Sequence, residues 1–156
     1  MGYDFNAADI FKMAEQIEKN GVVFYKKAAE NTAEPQSKEF FLFMAEIESQ
    51  HERTFATMRA ELIERETEST VFDPDDESVL YLRALADTKV FSEVKAVPSS
   101  IQDILNMAID AEKNSIAFYA GMRDLVPNKR GKDRLDNIIK EEKSHIVLLS
   151  QRLAAI

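Results

Sequence analysis

The sequence contains no cysteine. That excludes disulfides, thiolate catalysis, iron–sulfur clusters and any cysteine-ligated zinc or rubredoxin-type iron. Glycine and proline are scarce, four of each, so long helices can run without interruption. Positive charge is in deficit: 20 Lys and Arg face 28 Asp and Glu, a formal net charge of −8. That balance argues against nucleic acid or an anionic membrane as partner, since both need a basic footprint. No apolar run reaches the length of a transmembrane helix. The N-terminus also lacks the basic-then-apolar order of an export signal, and the chain is expected to be cytoplasmic. What remains is the composition of a soluble globular protein, 45% hydrophobic and 31% charged, at a length that ordinarily makes one domain, 1–156, with a real core.

Histidine is also scarce, and its placement organises the chain. The two histidines occur in the same setting, Glu48-Ser-Gln-His51 and Glu142-Lys-Ser-His145, 94 residues apart. Each is preceded by a matching segment: Glu18-Lys-Asn-Gly-Val-Val-Phe24-Tyr25 in one half, Glu112-Lys-Asn-Ser-Ile-Ala-Phe118-Tyr119 in the other. Between residues 13–25 and 107–119, seven of thirteen positions are identical. A single Glu-x-x-His is commonly no more than a solvated helix face. Two copies in register with matched upstream segments point instead to a duplicated functional hairpin.

Along the chain, apolar residues recur at helical spacing in four long stretches. The first starts at a cap-like Asn6-Ala-Ala-Asp9, runs through Ile10, Ala14, Ile17, Phe24 and Ala28, and should end near Asn31, ahead of Pro35. The second carries Phe40, Met44, Ile47, His51, Phe55, Met58 and Leu62. The third begins at Ser100-Ile-Gln-Asp103 and the fourth follows Val126-Pro-Asn-Lys-Arg-Gly131. Residues 66–99 break the pattern, apart from a short helix opened by Asp73-Pro74, and are too long for a link between antiparallel neighbours. The expected fold is all-α: a four-helix bundle of two repeated hairpins, about 7–65 and 100–154, joined by a long crossover at about 66–99 that lets the second and third helices run parallel.

This arrangement aligns the chemistry. With the first turn near residue 34, Glu18 lies about 16 residues before it and Glu48 and His51 about 14 and 17 after, so at 1.5 Å per residue they share one height. The second hairpin repeats those offsets with Glu112, Glu142 and His145. Pairing the hairpins gathers four carboxylates and two imidazoles inside the bundle. Such a cluster repels itself and is poorly solvated unless cations offset it. Two divalent ions would leave it formally neutral. Mixed oxygen and imidazole donors suit iron or manganese, whereas magnesium prefers oxygen alone and closed structural zinc prefers cysteine.

These residues resemble the ligand set of the ferritin-like di-iron carboxylate proteins, most nearly the rubrerythrin-type branch. In that pattern two helices give one Glu each and the other two give Glu-x-x-His. The resemblance covers all four helices. It implies two iron ions, with manganese or a mixed pair as alternatives. Glu18 and Glu112 would be terminal ligands, Glu48 and Glu142 would bridge, and His51 and His145 would each bind one ion. Tyr25 and Tyr119 fall where such proteins often keep a tyrosine behind the ligands, although core packing would explain them equally. Two features depart from the rubrerythrin pattern. Ser115 stands where an extra carboxylate would lie, and no cysteine is present for a rubredoxin-type relay. Glu15 could be an accessory carboxylate, but its repeat partner is Ile109, which favours a surface role.

The resemblance implies a di-iron oxidoreductase that reduces hydrogen peroxide or dioxygen while its ferrous pair is oxidised, with electrons from a separate donor protein or from ferrous iron. Two alternatives stand beside it: a ferritin-type ferroxidase that stores iron in a multi-subunit cage, and a non-catalytic helical interaction module with vestigial ligands. The run Phe40-Phe41-Leu42-Phe43-Met44 wraps most of helix two, more than one face can bury, which suggests a homodimer.

Overall fold

The computed structural model describes residues 7–62, 84, 97–126 and 128–156. Four long helices carry it: α1 (Ala7–Glu30), α2 (Pro35–Ala60), α3 (Ile101–Met122) and α4 (Lys129–Ala154). A 3₁₀ turn, Arg123–Leu125, continues α3 into the second short link. The cap expected at Asn6 and the expected crossover and short helix between α2 and α3 lie outside the described residues.

The helix boundaries follow from local chemistry. At the end of α1 the Thr32 hydroxyl donates to the Ala28 carbonyl at 2.8 Å, satisfying an acceptor the helix leaves open. Pro35 sits at the first position of α2, where its missing N–H costs nothing. Glu34 before it is extended (φ −71°, ψ 122°), as a residue preceding proline prefers. Ser100 caps α3 by accepting from the Asp103 amide, and Asn128 caps α4 by accepting from the Gly131 amide at 2.7 Å.

The ends of the helices give their directions. Asn31, just past α1, donates to the Val97 carbonyl just before α3 at 3.3 Å. Glu61, just past α2, pairs with Arg134 in the first turns of α4 at 2.9 Å. Since α3 also ends where α4 begins, α2 and α3 point the same way, as a long crossover requires.

The aromatic residues of the core show the sequence repeat in three dimensions. Phe24 meets Tyr25 edge to face in α1, and Phe118 meets Tyr119 in the same way in α3. Tyr25 stacks on Phe41, and Phe55 packs tilted against Tyr119. These rings, with Met44, Ile104, Leu105, Met122 and Leu135, are fully buried. Each contributes roughly 1.5–3 kcal/mol of burial. Together they offset the several kcal/mol per ion that charged groups cost in an interior. The Phe40–Met44 run divides as its angular spread requires. Phe41 and Met44 are buried, Phe40 is half-buried under the Arg152 guanidinium at 4.2 Å, and Leu42 and Phe43 stay 48% and 53% exposed.

Candidate metal centre

At mid-height of the bundle the apolar core gives way to polar side chains. Glu18 on α1, Glu48 and His51 on α2, Glu112 on α3, and Glu142 and His145 on α4 are each at most 3% exposed. Glutamate is almost never found at that depth unless paired or ligated. All six residues expected from the repeat therefore meet at one place. They form two overlapping quartets, Glu18–Glu48–His51–Glu142 and Glu48–Glu112–Glu142–His145, each with its donor atoms within 4.8 Å of one another. Glu48 and Glu142 belong to both, so the carboxylates expected to bridge are the ones the fold shares.

The imidazoles turn the same ring nitrogen inward. His51 Nδ1 lies 2.9 Å from Glu142 and 3.6 Å from Glu18. His145 Nδ1 lies 3.0 Å from Glu142, 3.3 Å from Glu112 and 3.4 Å from Glu48. The two rings are nearly parallel, with centroids 6.0 Å apart. Behind the glutamates, the tyrosines cross between hairpins. The Tyr25 hydroxyl donates to Glu112 at 2.6 Å, and the Tyr119 hydroxyl to Glu18 at 2.5 Å. Each hairpin thus orients a buried carboxylate of the other.

The electrostatics divide the carboxylates into two pairs. Burial, together with repulsion from Glu142, Glu18 and Glu112, pushes Glu48 well above the usual carboxylate range. Glu142 rises for the same reasons, burial first and then Glu112 and Glu18. Burial also works against ionised Glu18 and Glu112. Glu18 is nevertheless held below its usual value by close contact with Glu48, His51 and the Tyr119 hydroxyl. Glu112 is held down to about 2 by His145, Glu142 and the Tyr25 hydroxyl. Burial opposes charge on the histidines, yet their carboxylate neighbours raise His51 to about 8 and His145 to about 10. Burial, then the nearby carboxylates, keeps both tyrosine hydroxyls protonated far above pH 10, as hydrogen-bond donors. Burial and mutual repulsion thus oppose ionisation of Glu48 and Glu142, while the imidazoles and tyrosine hydroxyls favour ionised Glu18 and Glu112.

That arrangement leaves work undone. Among the described residues, one oxygen each of Glu18, Glu48, Glu112 and Glu142, and both ring nitrogens of His145, are buried with no hydrogen-bond partner. Buried polar atoms ordinarily find partners, because each orphan costs about 1–3 kcal/mol. Orphans from all four carboxylates and an imidazole, converging on one point, form the donor set that a pair of divalent cations would complete. The residues present fit such a pair.

Neighbouring positions refine the expectations. Glu15 is held by the Arg59 guanidinium through two contacts of 2.6 and 3.1 Å, so it serves an interhelical ion pair and takes no place among the ligands. Ser115 donates to the Ala111 carbonyl, closing on its own helix. Its repeat counterpart is Gly21, where an added Cβ would touch the Glu48 carboxyl group at 3.4 Å. One residue escaped the sequence reading. Glu141 on α4 reaches His51 Nε2 at 2.5 Å. It has no acidic counterpart in the first half, where the equivalent position is Ile47, so the repeat gave no signal for it.

A sequence profile of the rubrerythrin family matches residues 9–152. Among solved structures the chain is similar to a Thermotoga maritima protein described as ferritin-like and diiron-carboxylate, with a TM-score of 0.72 and 23% identity over 96% of this chain and 95% of that one. At that identity the likeness speaks for the fold, a ferritin-like helical bundle. No curated protein matches the sequence. The family profile spans all four helices and every residue of the buried cluster, and the chain belongs to the rubrerythrin family.

Proposed function

We propose that this chain is a di-iron oxidoreductase of rubrerythrin type that reduces hydrogen peroxide or dioxygen. The observation that carries the reading is the sharing of Glu48 and Glu142 between two four-residue ligand groups. A site for one ion needs no shared carboxylates, and a structural cluster needs no orphaned donors. Glu18, Glu48, His51 and Glu142 would hold one ion and Glu48, Glu112, Glu142 and His145 the other. A ferrous pair held by these residues would supply the two electrons that, with two protons, reduce one hydrogen peroxide to two waters.

The residues around the cluster contribute in defined ways. Tyr25 and Tyr119 fix the rotamers of Glu112 and Glu18 and, being protonated, do so without adding negative charge. The Phe24, Phe41, Phe55 and Phe118 rings keep bulk water from the interior, so the carboxylates act in a medium of low polarity. The 156 residues contain no cysteine for a rubredoxin-type relay, so electrons would reach them from outside, from a donor protein or from ferrous iron.

Anaerobic loading with ferrous iron, followed by separate additions of dioxygen and peroxide under optical absorption, tests the reading. Uptake of two ions per chain and faster growth of ferric near-ultraviolet absorption with peroxide than with dioxygen is the expected result. Oxidation only in step with continued iron uptake, in an assembly of many subunits, would favour storage. Fewer than one ion per chain after anaerobic loading would favour a helical module without metal chemistry. The half-exposed Leu42 and Phe43 support a homodimer, and a monomeric sedimentation profile at micromolar concentration would remove that part.

A further inference from the structure

The two halves of the cluster match in every ligand but differ in what lies behind the histidines. His51 Nδ1 faces the cluster, while its Nε2 meets the Glu141 carboxylate at 2.5 Å. His145 also turns Nδ1 inward, but its Nε2 is buried with no partner among the described residues. The difference originates in the sequence. Glu141 precedes Glu142 on α4, whereas the residue preceding Glu48 on α2 is Ile47, which is half-buried and has no acceptor to offer. Nothing in the function proposed above requires this inequality.

We propose that Glu141 is a positioning residue that makes the two ion positions unequal, so that the His51 half binds its metal first and more tightly. The inference rests on the two-ion reading of the cluster. The physical argument concerns which nitrogen carries the proton. A carboxylate on Nε2 holds the hydrogen there and leaves the Nδ1 lone pair directed at Glu18 and Glu142, where an ion would sit. It also fixes the ring about its bond to Cβ and raises the basicity of the inward nitrogen. His145 lacks this support on its outward side: no described residue offers its Nε2 an acceptor, so nothing there fixes the ring or rewards the Nε2–H tautomer. Glu141 itself is 58% exposed and anchored in the middle of a long helix. It therefore reaches the cluster from the solvent side, and truncating it removes no core packing.

Anaerobic titration of the full chain with cobalt(II), followed by calorimetry and by visible absorption, measures both positions without turnover. The expected wild-type result is two resolved steps for two ions per chain. Glu141→Ala is expected to weaken the tighter step by roughly 10- to 100-fold, the ordinary cost of losing a carboxylate behind a ligating histidine, and to leave the weaker step unchanged. Glu141→Gln keeps a neutral acceptor and is expected to fall between wild type and Ala. In a His51→Ala background, Glu141→Ala should have no further effect, because the coupling runs through that ring. Equal loss from both steps, loss from neither, or a loss that persists without His51 overturns the inference while the two-ion reading stands. Failure of wild type to take up cobalt overturns both.

Discussion

Glu48 and Glu142 show how a single residue can weaken the fold and still be required by the site. Both are protonated above their usual range because burial and like-charged neighbours disfavour ionisation. Replacing Glu48 with Gln removes that liability at nearly constant shape. In the presence of chelator, Glu48→Gln is expected to raise unfolding stability at neutral pH by roughly 1–3 kcal/mol, read by denaturant melts. The same substitution, or Glu142→Ala, should abolish binding of the second ion, because each removes a carboxylate common to both quartets. Glu61→Ala, which breaks only an exposed pair with Arg134, should leave loading unchanged. A variant that binds two ions without Glu48 would contradict the bridging assignment. The tyrosines make the complementary case. Tyr119→Phe leaves the Glu18 oxygen at 2.5 Å from an empty hydroxyl position, and about 1–3 kcal/mol of stability should be lost. Tyr25→Phe should match it through Glu112, and a much smaller effect from either would reduce that tyrosine to core packing.

Among the elements, local chemistry decides where each helix begins and the repeat decides what each presents. Asn128→Ala should cost about 1 kcal/mol, since it removes the acceptor for the Gly131 amide at the start of α4. Gly131→Ala should cost more. A Cβ there would stand 2.6 Å from the Val126 side chain and 3.2 Å from the capping Asn128 side chain, so it would displace Val126 and crowd the cap as well. Thermal melts of the two variants order the effects, and a milder Gly131→Ala would show that the turn yields easily. Much at this scale was legible beforehand. The four helices, the Ser100 cap and the Pro35 start were written in apolar periodicity and in residues with one physical use. The six cluster residues were legible for a different reason: two copies at equal distances from two turns leave little freedom in where the side chains meet. Glu141 was not legible, because a lone carboxylate beside a ligand looks like any solvated glutamate until the facing helix is in place. The tyrosine contacts were half-legible. Their repeat marked them as a pair, but only the packed bundle shows that each serves the opposite hairpin.

For the whole molecule, the cluster sets how stability responds to pH, and the direction depends on which cations fill it. Consider the protein in chelator. His51 and His145 rise in the folded state from 6.5 to about 8 and about 10. Their stabilisation is complete below pH 6.5 and is lost as pH climbs through those two values. Glu48 and Glu142 act with the same sign: the unfolded chain releases their protons near pH 4.5 and the fold only at higher pH, so a rise in pH between those points favours unfolding. Glu18 and Glu112 act oppositely, giving stability above pH 4.5 that is lost as pH falls, for Glu112 toward about 2. The metal-free protein should therefore be most stable in mildly acid solution and weaken toward pH 9, each retained proton contributing a slope of up to about 1.4 kcal/mol per pH unit. Divalent ions displace the same protons from Glu48, Glu142, His51 and His145, so loading should release protons and strengthen as pH rises. Across pH 5–9, stability should fall steadily with chelator; with manganese(II) as a non-oxidising probe it should rise until the unfolded histidines lose their protons near 6.5 and then level off. Parallel curves would mean that the ions bind elsewhere and that the buried carboxylates and imidazoles keep their protons.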